Sequence, residues 1–211
     1  MTKIILERHG QSMANIDGTF AGNTDADLAE TGHAQAEKAA EYIAENIKID
    51  KIYSSDLKRA YKTAKHAAEK LGLEITTVKE LREIDAGEWE GLTLDKMKED
   101  YPEETWAWRN DIGKVCCPGG ESTAQLSERI YKALVKIAAE NDGKTILVTT
   151  HATPIRVVAC RAMGIPVEDL QSVRWVTNAS LTIIDFEGEK MKLEKYGYDE
   201  FMGDLVTKLI L

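Results

Sequence analysis

The chain has 211 residues, of which 43% are hydrophobic and 30% charged, and a formal net charge of −9. Those proportions describe a globular α/β chain, long enough to bury a substantial core in a single domain spanning 1–211. The acidity argues against nucleic acid and anionic membrane as partners, and no apolar run comes near the ~20 residues that cross a bilayer.

Lys3–Arg8 is predicted as the first strand, an apolar run (Ile4-Ile5-Leu6) that empties into Arg8-His9-Gly10-Gln11. No signal-peptide pattern precedes it, so a cytoplasmic protein is expected. A polar loop follows through Asn15, Gly18, Gly22 and Asn23. Thr31 and Gly32 open a helix whose apolar stripe is Ala36, Ala39, Ala40, Ile43 and Ile47. Lys51–Ser54 reads as a short strand. The next helix starts near Asp56 and puts Leu57, Ala60, Tyr61, Ala64, Ala68 and Leu71 on one face. Glu74–Val78 is the third strand. A long helix over Ser122–Asn141 begins at a capping box, Ser122 with Gln125, and Gly143 parts it from a strand over Thr145–Thr149. Thr153-Pro154 is expected to cap the following helix, with Pro at its first position. Ser180–Phe186 and Lys190–Tyr196 form a hairpin around Glu187-Gly188. The sum is a three-layer α/β/α sandwich with a mainly parallel central sheet. Cys116, Cys117 and Cys160 fit neither a disulfide framework nor a zinc site, and reduced thiols are expected.

Sheets of this kind bind ligands at the carboxyl ends of their strands. Here the first strand ends in Arg8-His9. The second ends in Ser54-Ser55-Asp56, with Arg59 in the first turn beyond. A third ends in Thr150-His151-Ala152, at the start of a helix. If these strands are neighbours, two arginines, two histidines and helix N-termini converge on an anion site that carries a nucleophile. Arg8 offers a planar fork of donors that suits a phosphate. His9 can attack phosphorus while partly unprotonated near neutral pH. Gly10 lets the backbone approach a ligand closely. Taken singly the signals are weaker: His151 reads equally as a satisfied strand-end histidine, and Arg59 as a surface residue. The stretch Leu81-Arg82-Glu83 through Trp89-Glu90-Gly91 sets acidic groups among Gly, Trp and Ile. It fits a carboxylate held in a constrained site, or a solvated acidic loop pinned by Trp89. His33 and His66 fall in helices and read as surface residues.

Taken together, these blocks resemble the histidine phosphatase superfamily, the phosphoglycerate-mutase-like enzymes, essentially from end to end. Arg8-His9-Gly10 with Ser12 and Asn15 resembles the family signature. Phe20-Ala21-Gly22, Asp25 and Asp27-Leu28 with Thr31-Gly32 resemble its phosphate loop and first helix. Ser54-Ser55-Asp56-Leu57-Lys58-Arg59-Ala60 is similar to the second Arg block and Leu81–Gly91 to the acid loop. Gly119-Gly120-Glu121-Ser122 and Thr150-His151 complete the set. The resemblance implies a phosphoglycerate-mutase-like fold and a phosphohistidine intermediate on His9. Arg8, Arg59 and His151 would hold the transferring phosphoryl group, and Glu83 would be the general acid and base. Asn15 and the backbone N–H groups of Ala21 and Gly22 are expected to hold the remaining oxygens, with Gly10, Arg82 and Ala152 also at the substrate. No metal and no cofactor is expected, and the partner is a small phosphorylated metabolite.

Two positions depart from the family pattern. Glu7 stands where an apolar or small residue is usual; it points away from Arg8 and is expected to contact another layer, or else to weaken the field at Arg8. Ala152 replaces a Gly, which puts close backbone approach in doubt. The branch is read from the cap. Only residues 92–118 separate the acid loop from the Gly-Glu-Ser block, shorter than in the mutases, so the phospho-enzyme is open to water. Hydrolysis of a small phosphomonoester is therefore preferred. The alternatives are a 2,3-bisphosphoglycerate-dependent mutase, a phosphoprotein phosphatase and an inactive phosphate-binding module. Met97, Tyr101, Trp106 and Trp108 would form an apolar wall, or belong to the core. Arg109 and Lys114 would offer a second anion contact.

Overall fold

Successive residues of an extended strand face opposite sides of its sheet, and β1 (Thr2–Arg8) buries both sides. Ile4 and Leu6 belong to one hydrophobic core and Ile5 to another. None of the three is more than 1% exposed, so each adds about 1.5–3 kcal/mol of burial. The first core is closed by α6 (Thr123–Ala139) and α7 (Ala152–Ala162), the second by α2 (Glu30–Asn46) and α3 (Lys58–Leu71). Three layers follow directly from a strand that is apolar on both faces.

The computed structural model describes residues 1–207. With β2 (Lys51–Ser54), β3 (Ile75–Thr77), β4 (Thr145–Thr150), β5 (Leu181–Glu187) and β6 (Lys190–Tyr198), β1 forms a six-stranded sheet in the order β3-β2-β4-β1-β5-β6. The pairs β1–β4, β2–β4 and β2–β3 are parallel; β1–β5 and β5–β6 are antiparallel. The strands that end in Arg8, Ser54 and Thr150 are thus adjacent, and their carboxyl ends open on one edge. No helix among the described residues is long and apolar enough to cross a membrane.

Several local expectations shift. The polar loop after β1 contains a short helix, α1 (Met13–Asp17), held by a reciprocal Ser12–Asn15 capping box and closed by Gly18 at φ 65°. Helical periodicity cannot register in five residues. Tyr61, expected on the apolar face of α3, is 40% exposed, and the buried face instead includes Arg59 and Thr63. Pro154 is not at the first position of α7. His151 is the N-cap, so Pro154 sits third, where its missing N–H would still have found no partner within the helix. The cap region folds as α4 (Leu94–Asp100) and α5 (Pro102–Asn110). His33 and His66 are half-buried and bridge α2 and α3, with ring nitrogens 3.0 Å apart.

Glu7 stands on the Ile5 side of β1, away from Arg8 and toward the layer of α2 and α3. It is 1% exposed, and its Oε2 accepts a hydrogen bond from Thr149 Oγ1 (2.9 Å) on the neighbouring strand, within the sheet. Burial raises its pKa to about 8, against the smaller opposing effect of that hydrogen bond. At neutral pH the carboxyl is protonated and leaves the field at Arg8 alone.

Candidate active site

β1 delivers His9 to the sheet edge, where its backbone N–H donates to Thr150 O (2.9 Å) and its carbonyl accepts from Asn178 Nδ2 (3.1 Å). Nδ1 of the ring lies 2.7 Å from Gly10 O. A carbonyl only accepts, so Nδ1 carries the proton and Nε2 keeps the lone pair. The ring is 4% exposed, and burial, then Arg59 and Arg8, hold its pKa well below the usual histidine value. The result is a neutral imidazole with a fixed tautomer. Gly10 has a different task from the one expected. Its N–H donates to Thr63 Oγ1 (3.0 Å), and a Cβ there would lie inside 3.0 Å of the Gly32 carbonyl at the start of α2. Gly32 in turn could carry no Cβ without striking the backbone of Gln11.

β4 delivers His151, whose ring centroid is 5.1 Å from that of His9. Its Nε2 lies 2.9 Å from Ser55 Oγ, while Nδ1 has no hydrogen-bond partner among the described residues. It is fully buried, and burial together with Arg59, His9 and Arg8 lowers its pKa well below the usual value. Two guanidinium groups flank the pair. Arg8 Nη1 donates to Val176 O (2.6 Å), while its Nε is buried without a partner. Arg59 is 1% exposed and donates to Thr24 O (2.7 Å) through Nη1 and to Ala21 O and Gly22 O (2.8 Å each) through Nη2. Desolvation lowers both guanidinium pKa values to about 10, which leaves both charged at neutral pH.

The carboxylate at the edge is that of Glu83. Oε1 accepts from its neighbour Ile84 N (2.8 Å) and Oε2 from Thr153 N (3.2 Å), a donor in the first turn of α7. The positive end of that helix faces the acid.

All of these groups except the fully buried His151 line a cavity of about 400 Å³. Arg8, His9, Arg59, Asn15 and Glu83 make its polar end; Phe20, Met97, Trp108 and Trp175 wall it, and Arg109 and Gln171 stand on the lining as well. Of the other expected substrate contacts, Ala21 and Ala152 line the cavity, while Gly10, Gly22 and Arg82 do not. Gly22 is packed against the Ile84 carbonyl, and Arg82 is spent on a two-point pair with Asp56 (2.6 Å each). The wall also differs from expectation. Trp106 is 63% exposed and off the cavity, Tyr101 Oη donates to Glu88 (2.7 Å), and Lys114 is paired with Asp111 (2.9 Å). Trp175, Gln171 and Asn178 were not found from sequence. They lie between α7 and β5, Gln171 on a 3-10 stretch (Val167–Ser172) and Trp175 and Asn178 in irregular chain beyond it, where there is no periodicity to read. Among the described residues, no group of three or more His, Cys, Asp or Glu side chains is arranged to hold a metal ion.

A neutral imidazole, two guanidinium groups and a carboxylate gather on one partly apolar cavity, an arrangement suited to an anionic phosphate ester. The histidine phosphatase superfamily (branch 1) matches residues 4–199. Phosphoserine phosphatase 1 of Hydrogenobacter thermophilus is 33% identical over 208 residues, covering 99% of this chain and 98% of that protein. Glucosyl-3-phosphoglycerate phosphatase of Mycobacterium tuberculosis is 29% identical over 209 residues, covering 91% and 92%. The structure of YhfR from Bacillus stearothermophilus superposes with a TM-score of 0.91 at 25% identity, over 96% of this chain and 100% of that one. The chain belongs to the histidine phosphatase superfamily. It is a phosphoric monoester hydrolase.

Proposed function

We propose that the chain hydrolyses a small phosphomonoester in two steps through His9, without a metal ion. In the first, Nε2 attacks phosphorus, the bond from phosphorus to the ester oxygen breaks, and a proton passes from the Glu83 carboxyl to the leaving alkoxide. In the second, water attacks the phosphohistidine and loses a proton to the Glu83 carboxylate, releasing inorganic phosphate and restoring both groups. Charge on the equatorial oxygens is the main thing to stabilise in such a transfer. Arg8 and Arg59 supply that stabilisation from side chains that line the cavity, and His151, its ring 5.1 Å from that of His9, adds a donor through Nδ1 when Ser55 donates to its Nε2.

The observation that carries this reading is the 2.7 Å contact between His9 Nδ1 and Gly10 O. It leaves Nε2 as the free lone pair of a ring kept neutral by burial and two arginines. The small alcohol part is supported by the cavity size and by the relatives, which are named for phosphorylated metabolites. The test is rapid quench with ³²P-labelled substrate: an acid-labile, base-stable phospho-enzyme is expected, undiminished by EDTA and absent in His9→Ala. Near-normal turnover in that variant would overturn the mechanism.

A further inference from the structure

The acid loop is held from behind by a side chain that the mechanism does not touch. Arg129, in the second turn of α6, spends each of its five N–H donors on one acceptor. Nε and Nη2 form a two-point pair with Glu121 (2.8 and 2.7 Å). Nη1 donates to the carbonyls of Glu80 (2.7 Å) and Arg82 (3.1 Å), and Nη2 also donates to the carbonyl of Glu83 (3.1 Å). Glu121 completes the grip through its own backbone, which donates to Asp85 O (2.8 Å), and its Oε2 accepts from Asp85 N (3.3 Å). One guanidinium thereby reads three carbonyls of a four-residue stretch that ends on the acid itself. The loop has no helix or strand of its own at Arg82–Ala86 to fix it.

We infer that Arg129, with Glu121, is a positioning residue for Glu83: it sets the backbone from which the carboxyl reaches both α7 and the leaving oxygen. The inference rests on the reading of Glu83 as general acid and base. Arg129 does not line the cavity, so it acts through Glu83 and not on substrate. Lysine cannot replace it, because an ammonium offers three donors at one point, whereas these acceptors are spread around a planar fork. A sub-ångström drift of a proton donor costs rate and leaves ground-state binding almost untouched.

The test compares an alkyl ester, β-glycerophosphate, with p-nitrophenyl phosphate, whose leaving group needs little protonation. Arg129→Lys is expected to lower kcat on β-glycerophosphate by roughly 10- to 100-fold, within the span a general acid supplies. The pre-steady-state burst of p-nitrophenolate should keep its rate, and inhibition by orthovanadate should stay within about twofold. In a Glu83→Gln background the same change should add nothing, since positioning has no acid left to act on. Equal losses on both esters, no loss on either, or a further loss in the Glu83→Gln background would each overturn the proposal. Should Arg129→Lys fail to fold, Glu121→Gln, which keeps the shape and weakens the pair, carries the same comparison with a smaller expected loss. Glu83→Gln alone separates the two ideas. If it treats the esters alike, the acid assignment falls and the positioning role with it; if it discriminates and Arg129→Lys does not, only the positioning role falls.

Discussion

Single residues here carry their chemistry through their surroundings. His9 is an ordinary imidazole kept neutral, with Nε2 free, by burial, one carbonyl and two arginines, and Glu7 is an ordinary carboxyl made into a neutral core group by burial. Glu7 has a measurable consequence. Its pKa is about 8 in the fold against 4.5 as the reference value. Between those two values the folded chain keeps a proton that the unfolded chain has released, so stability falls as pH rises through that window and levels off above it. At about 1.4 kcal/mol per unit, the whole effect is at most on the order of 5 kcal/mol. Glu7→Gln keeps an acceptor for Thr149 and has no proton to lose. Urea unfolding at pH 5 and pH 9 should show the variant gaining on the parent as pH rises. A constant difference across that range would mean that Glu7 is ionised in the fold.

Among the elements, what could be read from sequence was whatever had a period or a cap. β1 was legible because Ile4-Ile5-Leu6 is apolar on both faces, and α6 because Ser122 and Gln125 form the box that the structure shows. The catalytic blocks at the ends of β1, β2 and β4 were legible for the same reason: strand ends can be found, and the register places them side by side. The wall of the cavity was not. Trp175 reaches it from an irregular segment, and Trp106 and Trp108 are separated only by where α5 turns, which local sequence does not state. The short α1 was also hidden, although it places Asn15 on the cavity. Ser12→Ala removes its side-chain cap, and such losses run at about 1 kcal/mol. The expected outcome is a lowered unfolding free energy of that size together with a raised KM. An unchanged KM would show that Asn15 does not depend on α1 for its place.

At the scale of the whole molecule, a net charge of −9 surrounds a site built for an anion. Arg8 and Arg59 reconcile the two by being buried at the site itself, where the low dielectric strengthens their attraction. The cap consists of two short helices, α4 and α5, over a cavity of about 400 Å³. With so little cover, water is expected to outcompete a second hydroxyl for the phosphohistidine. Conversion of 3-phosphoglycerate to 2-phosphoglycerate can be measured against release of phosphate, with and without a 2,3-bisphosphoglycerate primer. Release should dominate and should not need the primer. Primed isomerisation faster by orders of magnitude would make the enzyme a mutase.

The contact between Gly10 and Gly32 bears on how such a chain can change over generations. Each glycine is confronted by the other segment's backbone, and backbone cannot be trimmed by a second mutation the way a side chain can. Neither position can therefore accept a methyl group first, and altering both only doubles the conflict. The seat of α2 against the nucleophile's loop is closed to gradual drift, so variation in this part of the molecule has to run around that pair, through the surface of α2 and the loop beyond α1.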